Sequence, residues 1–365
     1  MIVIRTRSPF FVEVNEPTQT KVRFKIYVCY LGDSIPVSPT YELVKPIVST
    51  TDRALYLNIS PYVEGFLNAY AVNNAPATPV YCTDSQQVVQ VKVETQYYNG
   101  TTWSANSTNN YIAVDGYTDY GANQVWNGGG DFEEGKVIPL IKNNSLRYGM
   151  LGGQAYGFNV LIEHDGVSET RVTYNGTTTN TILDSSVTSG IYNMIVPFDS
   201  YSATDAKTTV FIDSDLTLDT YSYTIARFCE QKYTPVLVRY VNKFGGWDYI
   251  YFLKTRKDAL QSKNETYSLN QNGSGGFKYG YDYNIGQNKT FNHELKRTIK
   301  LSTGWVDESF AEQMQDLMVS KRVYMDDTDL IVKTQSIDVQ TKINEKLINY
   351  VVEFEVNHNL INDMQ

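Results

Sequence analysis

The chain is poor in the residues that most often do chemistry. It holds three histidines and three cysteines in 365 residues, only 19% of it is charged, and no lysine or arginine run relieves a net charge of -9. Each shortage excludes something. Cys29, Cys82 and Cys229 are odd in number, widely scattered and without CxxC spacing, so they form neither a disulfide framework nor a zinc site. His164, His293 and His358 lie far apart and show no HExxH spacing, and they read as sheet or surface histidines. Without a basic footprint, sequence-specific nucleic-acid binding is not expected. An acidic lining is nevertheless compatible with DNA passing nearby, because it repels phosphates rather than holding them.

Other absences extend the list. There is no G-x-S-x-G elbow and no Walker A loop, and the glycines at 128–130 lack the GK[ST] that would make a phosphate cradle. The acidic clusters FIDSDLTLD (Asp213, Asp215, Asp219) and DFEEG (Asp131, Glu133, Glu134) do not match the DxDxDG-x5-E calcium loop. Paired carboxylates can always be assembled from 40 acidic residues, so their presence points to no hydrolase. No stretch approaches the roughly 20 apolar residues of a membrane span. The opening MIVIRTRSPFF interrupts its apolar residues with arginines and lacks a signal-peptide cleavage site. The expectation is a non-enzymatic chain made in a cytoplasm, with no cofactor, no metal and no membrane contact. The N-x-S/T sequons at Asn99, Asn175 and Asn288 then carry no meaning.

What the chain has in quantity is aromatic and β-branched side chains: aromatics reach 13%, with 29 tyrosines. Such residues fit a pleated, half-buried surface and predict a mainly β protein, with β-sandwich-like domains and a C-terminal α+β module. KVRFKIYVCY (21–30) places Val22, Phe24, Ile26 and Val28 on one strand face. YELVKPIVS (41–49), ALYLNISPYV (54–63) and VVQVKVETQYY (88–98) read as strands, the last ending in the hairpin dipeptide Asn99-Gly100. The region 104–230 is looser, with GFNVLIEHDG and ETRVTYNG read as a strand pair. The boundaries predicted are 1–103, 104–230 and 231–365.

After Lys232, TPVLVRYV and WDYIYFLK flank NKFGG as a hairpin whose glycines supply the turn. The aromatic run could line a ligand site, close a core or meet another chain. Its failure to alternate predicts burial on both faces, one under the Phe310/Met314 helix or a neighbouring subunit. Asp248 is expected to cap the FGG turn or to pair with Arg239 or Lys254. SLNQNGSGGFKYGYDYNIGQNKT (268–290), with Tyr279 and Tyr281 on either side of Gly280 and Tyr283 just beyond, reads as an extended loop or arm. VDESFAEQMQDLMVS is the one amphipathic helix, with Phe310, Met314, Leu317 and Met318 on one face and Asp307 and Glu308 in the first turn. RVYMD, LIVKTQSIDVQ and KLINYVVEFEVN read as closing strands.

Three stretches carry a resemblance. KYTPVLVRYVNKFGGWDYIYFLKTRKD, KLSTGWVDESFAEQMQDLMVSKRVYM and KLINYVVEFEVNHNLIN resemble a module of structural proteins of tailed bacteriophages, particularly those infecting Bacteroidetes and the crAss-like group. The matching positions are Asn242, Gly245, Gly246 and Trp247 in the hairpin, Thr303, Gly304 and Trp305 in a turn before the helix, and Ser320, Val323 and Tyr324 after it. SPFFVEV and NISPYVEGF look similar to the same proteins. The resemblance implies a virion component of the tail, baseplate or neck ring, assembled with copies of itself and other tail or neck proteins. Tyr249, Tyr251, Trp305, Phe310, Met314 and the loop tyrosines around Gly280, Tyr283 among them, join the hairpin residues as structural or interface candidates. The alternative is a receptor- or carbohydrate-binding tail accessory using the tyrosine-rich loops.

Overall fold

The computed structural model of the chain describes residues 2–31, 33–48, 53–68, 80–81, 87–119, 137–141, 145–149, 156–162, 169–174, 177–182, 190–196, 207–214, 217–227, 232–268, 288–336 and 347–358. The protein is mainly β and β-sandwich-like, with one short C-terminal helix. Its first sheet has the order Ile2–Arg5, Trp103–Val114, Val88–Tyr98, Lys21–Tyr30, Tyr41–Pro46. The first pair is parallel and the rest antiparallel. The central strand follows its alternation: Val22, Phe24, Ile26 and Val28 are all buried. They meet Val12, Val14 and Leu57 from a two-stranded antiparallel sheet, Phe11–Val14 with Leu55–Asn58, laid across the same core. Because Trp103–Val114 pairs along its length with Val88–Tyr98, this sheet runs well past residue 103.

Local chemistry sets several details. Asn99 turns the hairpin as predicted, its Oδ1 accepting from the N–H groups of Thr101 and Thr102 at 2.9 Å, with Gly100 at φ +101°. The segment 54–63 is not one strand. It is the strand Leu55–Asn58 followed by a short helix, Ser60–Glu64, because Pro61 at the start of that helix suits a first turn and cannot donate to a ladder.

The middle of the chain supplies two sheets. One has the order Ser145–Gly149, Thr217–Arg227, Lys207–Ser214, Glu169–Tyr174, Thr177–Ile182, and the other Val80–Tyr81, Gly190–Val196, Tyr156–Ile162, Val137–Pro139. The predicted pairing of GFNVLIEHDG with ETRVTYNG is therefore overturned. Tyr156–Ile162 pairs with Gly190–Val196, while Glu169–Tyr174 pairs with Thr177–Ile182, two residues further along the sequence, in the other sheet. A two-residue Asn-Gly connection favours the local partner over the preceding strand.

The C-terminal module is a seven-stranded sheet, ordered Trp247–Phe252, Val236–Val241, Val323–Met325, Thr328–Val332, Leu347–Val356, Asn288–Asp307, Lys257–Ser268. Its inner face buries Tyr240, Phe252, Leu301, Val352 and Phe354 beneath the helix Ala311–Val319. Burying one such large side chain contributes about 1.5–3 kcal/mol. A single 3-10 turn, Glu308–Phe310, leads into the helix, and the Asp307 carboxylate accepts from Ser309 N at 3.0 Å to cap it.

Candidate functional site

Two features stand out among the described residues: a packed joint around the 242–247 turn, built on the predicted hairpin residues, and a ribbon that leaves the body of the molecule.

The joint is built on Asn242. Its Oδ1 accepts from Phe244 N at 2.9 Å and Gly246 N at 3.2 Å, and its amide donates to the Leu140 carbonyl at 2.8 Å. Gly245 sits at φ +82°, a conformation that L side chains rarely adopt. Sterics add a second reason for glycine here. A Cβ at 245 would lie 2.7 Å from Val114 Cβ, and one at 246 would lie 2.6 Å from Leu140 Cβ and 2.7 Å from its carbonyl oxygen. The turn thus presses its backbone against the first sheet and the middle region at once. Gln87 Nε2 donates to the Gly245 carbonyl at 3.0 Å, and Asn159 Oδ1 accepts from Trp247 N at 2.6 Å. Val3, Val114, Leu140, Leu161 and Phe244 share one apolar cluster across the three regions.

A second, ionic layer closes the joint on the other side of the turn. Arg7 lies 3.1 Å from Asp115 through Nε and donates through Nη1 to the Val319 carbonyl at 2.9 Å, at the end of the helix. Tyr117, whose ring lies under the Arg7 guanidinium at 5.0 Å, donates its hydroxyl to Asp316 at 2.6 Å. Lys243 bonds Glu312 at 2.9 Å. Burial dominates the electrostatics. It pulls the Arg5 guanidinium, stacked on Phe244 at 4.8 Å, down to about 10, against the opposing charges of Asp119 and Asp316. It pushes the Asp316 carboxyl above the ordinary aspartate value, against the hydrogen bond from Tyr117. Lys243 is also drawn down by burial, but Glu312, together with Asp316 and Asp119, outweighs that and leaves it above the ordinary lysine value.

The aromatic run is buried on both faces, as its lack of alternation predicts. Ile250 and Phe252 lie in the helix-covered core with Phe310 and Met314, while Trp247 packs edge-on to Tyr324 on the opposite face at 5.8 Å. Tyr249 is half-buried and Tyr251 buried, its phenol pushed up to about 12 by burial. Asp248 departs from expectation. The turn is capped by Asn242, and Arg239 instead donates to the Asp326 carbonyl and lies 3.9 Å from Asp327. Asp248 is directed inward to the helix, its Oδ1 accepting from Tyr249 N at 2.8 Å and Gln313 Nε2 at 3.3 Å. Even-numbered residues of this strand face the helix, so the charge is carried inward with Ile250 and Phe252.

The ribbon consists of Lys257–Ser268 and the first half of Asn288–Asp307, paired from Lys257↔Lys300 to Ser268↔Asn288. Every residue of the first strand is exposed. The next strand of the sheet, Leu347–Val356, reaches only to Thr298, so among the described residues 288–297 has a partner strand on one side alone. At about 3.3 Å per residue that free part is about 30 Å long. It exposes Leu260 (65%), Phe291 (60%) and Tyr267 (46%), the last two in ring contact at 6.0 Å. Gly304, at φ +77°, lies in a bulge between Ser302 and Trp305 that turns Trp305 outward, where it is 67% exposed. The loop tyrosines Tyr279, Tyr281 and Tyr283 lie outside the described residues.

Sequence reasoning missed the joint residues Arg7, Tyr117 and Asp316, and the strand Lys257–Ser268. The first three are joined across separations of up to 312 positions, which no local pattern records. Among the described residues, no group of three or more His, Cys, Asp or Glu is placed to hold a metal ion, and no helix is long and apolar enough to cross a membrane.

No protein-family model and no curated protein matches the chain. Among solved structures, the full extracellular region of plexin A4 is 7% identical over 62% of this chain and 24% of its own, at a TM-score of 0.17. The zebrafish RET cadherin-like domains 1 to 4 are 6% identical over 77% of this chain and 62% of their own, at 0.15. The chain spans less than two thirds of either structure, and scores this low carry no argument about fold or function.

Proposed function

We propose that the protein is a non-enzymatic structural subunit of a tailed-phage virion, one of several copies in a tail, baseplate or neck ring. The observation that carries the reading is the ribbon. A two-stranded hairpin is marginally stable in water by itself, and this one extends about 30 Å beyond its sheet with apolar side chains exposed. Such an element gains most from contact with another chain. The rigid joint supports the same role, because it fixes the turn, the helix and the first sheet as a base from which the ribbon projects. The resemblance of the hairpin, the Thr303-Gly304-Trp305 turn and the closing strands to phage structural proteins supplies the virion context.

In this reading the acidic chain contacts DNA, if at all, only as it passes, and subunit contacts are made with itself and with other tail or neck proteins. The test is to purify the virion whose genome encodes the chain, identify its proteins by mass spectrometry, and count copies. Several copies per particle are expected. Absence from the particle would overturn the proposal. The glycan-binding alternative rests on the tyrosine-rich loop within 268–290, of which 269–287 lie outside the described residues.

A further inference from the structure

We infer that the ribbon of one copy docks on the outer face of the C-terminal sheet of a second copy, on the patch formed by Trp305, Leu347 and Val351. The inference rests on the assembly reading above and names the partner surface. Leu347 and Val351 alternate along one strand on either side of Asn349, which is opposite Trp305, so the three side chains share the sheet face away from the helix. They are 67%, 54% and 50% exposed. Tryptophan is enriched at the centre of protein interfaces, and one face of the ribbon offers it Tyr267 and Phe291, which are in ring contact.

Geometry makes the contact intermolecular. Phe291 and Trp305 stand on the same strand, about 45 Å apart at about 3.3 Å per residue, so a rigid sheet cannot fold its own ribbon onto its own patch. Charge favours another copy of this chain. The second ribbon strand carries Lys289, Lys296, Arg297 and Lys300 against Glu294, on a chain whose net charge is -9. Lys296, Arg297 and Lys300 are matched by Glu355, Asp258 and Glu353, while Lys289 near the tip makes no ion pair among the described residues. The patch has Asp307 opposite Leu347 at its rim, with Lys254 lying along Gly304 at the other side.

Donor and receiving surfaces differ, so the contact is head-to-tail and repeats around a ring. One ribbon face covers roughly 300 Å², well under the ~800 Å² per partner of a standard stable pair. A single contact is then weak, and closure, with every copy both donating and receiving, supplies the stability.

The test is photo-crosslinking of the full chain with Phe291 replaced by p-benzoylphenylalanine, mixed with an equal amount of uniformly ¹⁵N-labelled chain. The expected result is mixed-isotope cross-links from position 291 to Trp305 or to 347–351, reduced at least tenfold by Val351→Glu in a variant whose circular dichroism is unchanged. Cross-links confined to one copy, cross-links to another surface, or none at all would overturn the inference. A chain found in several copies per virion but cross-linking elsewhere would overturn the docking surface alone, whereas absence from the virion would overturn the proposed function.

Discussion

Asn242 and Gly246 are small residues doing what larger ones cannot, and substitution should show it. Asn242→Ala would leave the Phe244 and Gly246 N–H groups and the buried Leu140 carbonyl without their partner. A loss of about 2–3 kcal/mol is expected, read as a lowered urea midpoint. Gly246→Ala would force a Cβ into Leu140 and should cost about 1–3 kcal/mol, while Gly100→Ala, with open space around its Cβ, should cost less through φ strain alone. Equal losses at the two glycines would contradict the packing account. Asp316 gives a pH prediction. Its folded-state pKa lies above the unfolded one, so the folded protein holds that proton more tightly and this group's contribution to stability falls as pH rises from the ordinary aspartate range through the raised value. Asp316→Asn should remove that slope from a plot of urea midpoint against pH; an unchanged slope would contradict the assignment. The two glycines and the aromatic run were legible in the sequence because turn chemistry and loss of alternation are local. Asp248 was legible only as an oddity, since its partner Gln313 lies 65 positions away.

At the scale of elements, periodicity located what packs against a core. The strand Lys21–Tyr30 buries the residues its spacing selects, and the helix Ala311–Val319 buries Met314 and Leu317, while Met318 is half-buried and Gln313 and Asp316 are carried inward as well. It failed where side chains meet solvent on both faces: KDALQSKNETYS has neither alternation nor strong β-formers, and it is a strand because it pairs with Asn288–Asp307. Ser60–Glu64 was hidden for a different reason, a helix too short to show a period. The exposed elements should separate stability from assembly. Trp305→Ala, at a position 67% exposed, is expected to change the urea midpoint by less than about 0.5 kcal/mol while weakening self-association in sedimentation experiments. A large stability loss would mean that Trp305 belongs to the fold rather than to a contact.

For the whole molecule, the three regions are coupled through one turn. The Asn242 amide, the Gln87 side chain, Arg7 and the Lys243–Glu312 pair tie the first sheet, the middle region and the C-terminal module to it. Domain boundaries drawn from composition could not reveal this, because the joint is composed of residues from all three segments. Hydrogen exchange should therefore show the joint equally protected in free and assembled protein, and the ribbon strands Lys257–Ser268 and 288–297 protected much more strongly after assembly. Equal protection of the ribbon in both forms would count against its role as a contact. The most direct measurement is an image reconstruction of the virion at a resolution that traces strands. It should show several copies around the tail axis, each ribbon lying on the Trp305 face of its neighbour; a particle without this chain, or with its ribbon free in solvent, would contradict it.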